Sequence, residues 1–164
     1  MTHNPAREIP LARPHADLPT FIRQDEMQQI IEYRLDTLRR PADAGASPTE
    51  NSTDTVDSFS DPRNALILLM FYSTGLRLSE LIGLMDADVD TTRGELKVLG
   101  KRNKERLIPF GTELSDAIGA YRLRRNAEGA TSPTGRFFTR PDGSDLYPTL
   151  VQRLVKKELQ GNTH

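Results

Sequence analysis

The chain has 164 residues, a formal net charge of −1, no cysteine, 36% apolar residues and a mean hydropathy of −0.55. That length suits one ordinary domain, and the missing cysteines exclude disulfides and thiolate metal sites. No apolar run approaches membrane-spanning length and MTHNPAREIP has no signal-peptide core, so a cytoplasmic protein without membrane contact is expected.

The near-zero charge hides an asymmetry. Residues 1–60 carry 6 Lys+Arg against 10 Asp+Glu, whereas residues 61–164 carry 16 against 13. Between Arg93 and Arg106 there are six basic residues and two acidic ones. A local basic surface, more than the whole-chain total, is what a phosphate backbone attracts.

In chain order, residues 1–19 hold Pro5, Pro10, Pro14 and Pro19 and read as an extended tether between domains. A helix is predicted from about Arg23 to Leu38, with Met27, Ile30, Ile31, Arg34, Leu35 and Leu38 on its stripe. Pro41–Ser60 is rich in Ser, Thr, Asp and Ala and nearly lacks large apolar groups, so it reads as a disordered insertion. Asp61-Pro62 starts a second helix, whose ALILLMFY segment is apolar almost all round and marks the central core element. Thr74-Gly75 ends it, and a short helix follows with Leu78, Leu81, Ile82 and Met85 inward.

Beyond Met85 the pattern turns to strands. Val89 marks a short strand and Thr91–Gly94 a turn. Leu96 and Val98, then Leu107 and Pro109, alternate across two strands flanking the basic turn GKRNKE. Thr112 caps a helix with Leu114, Ala117, Ile118 and Tyr121 inward, running into the cationic RLRRN. The segment FFT reads as a strand, PDGSD as a turn, and Thr149 as the opening of a last helix. The fold class is therefore mainly α with a small three-stranded antiparallel β-sheet.

Two basic positions can carry chemistry. Arg77 follows a glycine turn at a helix start, where a guanidinium can grip two phosphate oxygens in a planar fork. Glu80, three residues on, can hold that guanidinium in one rotamer; taken alone, the two also fit a surface ion pair of little energetic worth. Lys101 tops the hairpin 24 residues later, beside Arg102 and Lys104 and ahead of Arg106. A lysine there can contact a phosphate or protonate a leaving alkoxide. Tyr33, Tyr72, Tyr121 and Tyr147 each fit core or loop packing, and none reads as a nucleophile. His3, His15 and His164 are too scattered to hold a metal, and no phosphate-binding glycine loop is present.

The combination TGLRLSEL followed by GELKVLGKRNKERLIPF resembles the first half of the catalytic domain of tyrosine recombinases, the Xer-like phage integrase family. The resemblance runs from about Leu18 to Leu159 and implies a partial tyrosine-recombinase catalytic-domain fold over 20–164. It implies breakage and rejoining of double-stranded DNA through a phosphotyrosyl link, with no metal, ATP, other cofactor or small-molecule substrate. By the same resemblance Arg77 is the first active-site arginine, Glu80 its support and Lys101 the acid for the leaving 5′ oxygen. Arg102, Lys104 and Arg106 are then DNA-contacting residues, and Arg102 stands where Xer-type members commonly carry glycine. Full-length members are expected to act as homo- or hetero-tetramers on DNA. The family's His-x-x-Arg pair and tyrosine nucleophile are absent from this sequence, so the chain is expected to be an internal piece, inactive in cleavage by itself.

Two other readings fit parts of the chain. LSELIGLMDADVDTT has the rhythm of a helix-turn-helix with the hairpin as a wing, although Asp86, Asp88 and Asp90 would face DNA phosphates. The acidic 41–60 stretch also suits a partner-binding segment unrelated to DNA.

Overall fold

The computed structural model describes residues 24–39 and 60–160. The tether at 1–19, nearly all of the 41–60 insertion and the three histidines lie outside the described residues. The elements are α1 (Gln24–Arg39), α2 (Ser60–Thr74), α3 (Leu78–Gly83), β1 (Val89–Asp90), β2 (Glu95–Leu99), β3 (Glu105–Pro109), α4 (Thr112–Ala127) and α5 (Pro148–Gln160).

α2 is the centre of the helical layer because its sequence leaves it no polar face: Ala65, Leu66, Ile67, Leu68, Leu69 and Met70 are all buried. It packs against α1, α4 and α5. α1 contributes Ile30, Ile31, Leu35 and Leu38, as its stripe predicts. Arg34 lies on the same stripe and is held by an ion pair to the buried Glu158 of α5. Tyr121 of α4 stacks with Phe137 and Phe138 at centroid distances of 5.3 and 5.4 Å. Its hydroxyl donates to the Phe137 carbonyl at 3.2 Å and accepts the Thr139 N–H at 3.4 Å.

The sheet is antiparallel in the order β1-β2-β3, with Val89 opposite Leu96 and Val98 opposite Arg106. Its inner face carries Leu96, Val98 and the partly buried Ile108. This corrects the strand reading: Leu107 and Pro109 lie on the outer face, opposite Lys97 and Glu95. A one-residue offset in a period-two pattern reverses every side chain. Arg106 is therefore on the helix-facing side.

Other boundaries differ from expectation. Gly111, not Thr112, precedes the first helical residue of α4, and no side-chain cap bond forms there. The FFT segment makes no strand; single bridges join Met85 to Arg136 and Thr139 to Asp145. Tyr33 and Tyr72 are exposed where packing was expected, whereas Tyr121 is in the core.

The three aspartates that shaped the helix-turn-helix reading are structural. Asp86 pairs with Arg125 at 2.8 Å and Arg122 at 3.4 Å, which turns these two arginines of the RLRRN stretch inward. Asp88 accepts the Met85 N–H at 3.2 Å. Asp90 accepts the N–H groups of Thr92 and Arg93 at 3.0 and 2.9 Å. The segment is a 3-10 turn (Asp86–Asp88), a two-residue strand and a turn, with no recognition helix.

Candidate nucleic-acid interface

Gly75, with φ at 65°, turns the chain out of α2 in a left-handed conformation, and its N–H donates to the Phe71 carbonyl at 3.1 Å. Leu76 is buried and pins the turn to the core. Arg77 then stands at the boundary of α3 in extended backbone, with its side chain 69% exposed.

Glu80 is the buried member of the group, with 3% of its side chain exposed. Its Oε2 accepts two hydrogen bonds, from the Arg77 backbone N–H at 2.9 Å and from Arg106 Nη2 at 2.8 Å. The Arg77 backbone N–H at the helix start is thus already satisfied from within the protein. Oε1 makes no hydrogen bond and has Arg77 Nη1 3.9 Å away, too far for one. The expected lock between Glu80 and the Arg77 guanidinium is therefore a loose charge contact, and Glu80 grips the backbone of Arg77 instead.

The β2–β3 turn adjoins the same carboxylate. A Cβ built on Gly100 would lie 4.0 Å from Glu80 Oε1, so the base of the turn is beside the group that Arg77 approaches. Gly100 N–H donates to the Lys104 carbonyl at 2.8 Å and closes the turn. Lys101, Arg102 and Lys104 are exposed along it. Arg102 and Asn103 both take left-handed backbone, with φ at 62° and 61°. That conformation is unfavourable for arginine and free for glycine.

Arg77, Glu80 and Arg106 thus form one cluster, with the base of the β2–β3 turn beside it and Lys101, Arg102 and Lys104 exposed along that turn. The Glu80–Arg106 bond is what the sequence reading missed. The signal for it was the strand register: pairing Glu95 with Pro109 places Arg106 inward. Chemically, the site offers an exposed guanidinium fork beside a cationic loop, a surface suited to a phosphodiester.

The phage integrase family profile matches residues 49–161. The chain is 36% identical over 148 residues to tyrosine recombinase XerC of Chlorobaculum tepidum, covering 87% of this chain and 43% of that protein. It is 37% identical over 121 residues to XerC of Mycobacterium leprae, covering 72% of this chain and 34% of that protein. Among solved structures, the XerA recombinase superposes with a TM-score of 0.66 at 20% identity, over 92% of this chain and 45% of that one. The XerH site-specific recombinase bound to its difH substrate gives 0.63 at 18% identity, over 89% of this chain and 38% of that one. The chain therefore spans less than half the length of these relatives. With a family match over most of its length and a shared fold, the chain belongs to the phage integrase family of tyrosine recombinases.

Proposed function

We propose that residues 20–164 are the N-terminal portion of a site-specific recombinase catalytic domain acting on double-stranded DNA, with residues 1–19 as the linker into it. In this reading Arg77 clamps a non-bridging oxygen pair of the scissile phosphate. Lys101 delivers a proton to the leaving 5′ oxygen. Glu80 supports Arg77 through its backbone. Arg102 and Lys104 hold neighbouring phosphates, while the Arg106 guanidinium, with 47% of its side chain exposed, is bonded to Glu80. The parent enzyme assembles as a tetramer on DNA.

The observation that carries the reading is the shared carboxylate. Glu80 Oε1 is 3.9 Å from Arg77 Nη1 and 4.0 Å from the Gly100 Cβ position, so Arg77 and the base of the turn that carries Lys101 lie beside one carboxylate. The recombinase relatives, one of them bound to its DNA substrate, support DNA as the ligand. Electrostatic stabilisation of a phosphorane-like transition state needs several cations converging in this way.

Replacing Lys101, Arg102 and Lys104 together with glutamine tests it. The slope of log affinity for duplex DNA against log salt concentration should flatten by about one for each phosphate that is no longer neutralised. An unchanged affinity and slope would remove the hairpin from the interface.

A further inference from the structure

Glu80 poses a problem for the clamp just described. A buried carboxylate three residues from an arginine ordinarily captures it, and a captured guanidinium has fewer donors left for a phosphate. Here Oε1 is buried and lacks a hydrogen bond, with Arg77 Nη1 only 3.9 Å away. A small side-chain movement would close that gap. The geometry shows what competes with capture: Arg106 Nη2 bonds Oε2 at 2.8 Å, from a strand position facing the helices.

We propose that Arg106 is a positioning residue that neutralises Glu80 and thereby keeps the Arg77 guanidinium free for a DNA phosphodiester. It also ties β3, and with it the Lys101 turn, to the start of α3. This deepens the recombinase reading and rests on it for the identity of the anion. Distances decide the assignment of roles. The short, charge-assisted bond goes to Arg106, the long contact to Arg77. Glu80 then caps α3 through the Arg77 N–H without holding its side chain. Arg77, 69% exposed, keeps its fork toward solvent.

Removing Arg106 leaves a buried carboxylate with one cation in reach, so Arg77 swings in to pair with it. Removing the carboxylate charge as well releases Arg77 again. The test uses the 164-residue chain with Arg106→Gln, the double variant Glu80→Gln/Arg106→Gln, and Lys104→Gln as an ordinary phosphate contact. Two readouts are followed: the Arg77 Nε–H resonance without DNA, and affinity for a short duplex across salt concentrations. Arg106→Gln should shift the Arg77 resonance and cost about tenfold in affinity, and the double variant should recover most of that loss.

An Arg77 resonance that stays in place, with a loss matching that of Lys104→Gln and no recovery in the double variant, would make Arg106 a plain phosphate contact. If Arg106→Gln does not fold, the double variant, which buries no unpaired charge, carries the test. Near-native affinity upholds the account and a tenfold loss overturns it. If the unaltered chain shows no salt-sensitive duplex binding, the recombinase reading of this segment fails. The DNA-free Arg77 resonance still decides whether Arg106 restrains Glu80.

Discussion

Arg102 shows most directly how function and stability oppose each other at one residue. Its backbone at φ 62° and ψ 31° is unfavourable for a side chain with a Cβ, yet its charge is exposed on the turn proposed to meet DNA. Arg102→Gly should raise the unfolding free energy by up to about 1 kcal/mol, part of the relief being offset by the greater freedom of glycine in the unfolded chain. Urea denaturation measures that gain. Duplex affinity should fall in the same variant, and a variant that loses stability would show that the turn is not strained. Arg77, Lys101 and Glu80 could be picked out as candidates because each is tied to a local motif, a glycine turn or a basic hairpin tip. The partner of Glu80 was not. It lies 26 residues away, and only the register between β2 and β3 brings it inward.

At the scale of elements, α1 and β2 were legible because their apolar spacing repeats with the period of the structure they form, and α2 because it is apolar almost all round; β3 was read one residue out of register. The Phe137–Thr139 segment was misread because its residues are apolar without being paired: Phe137 and Phe138 are buried against Tyr121, not against a neighbouring strand. Asp86 and the RLRRN stretch could not be read singly, since Arg122 and Arg125 pair with that aspartate across 36 and 39 residues of chain. Tyr121 gives this packing a pH signature. Burial raises its hydroxyl above the ordinary 10.0, against smaller opposing effects from Thr139, Arg125 and Arg63. A raised folded-state value means that the stability it contributes is complete below about pH 10 and is lost as pH rises through the folded value. Thermal unfolding should therefore show an alkaline decline that is smaller in Tyr121→Phe. Equal declines in both proteins would assign it to other groups.

For the whole molecule, the proposed chemistry asks for more groups than the residues assigned to it here. The sequence has one arginine and one lysine in the roles described, and no His-x-x-Arg pair. Tyr121, the one tyrosine in the core, is fixed in a hydrogen-bonded cluster away from solvent. Incubated with nicked or intact duplex and resolved on a denaturing gel, the 164-residue chain should give no covalent adduct; an adduct abolished by mutating a tyrosine would reverse that. The role proposed for the segment is to hold a phosphate. The direct measurement is a titration of isotope-labelled protein with duplex DNA, following the Arg77 Nε–H and Lys101 Nζ signals together. The account predicts that both move with one affinity and weaken together as salt rises. Duplex binding that shifts other residues while leaving these two in place would contradict it.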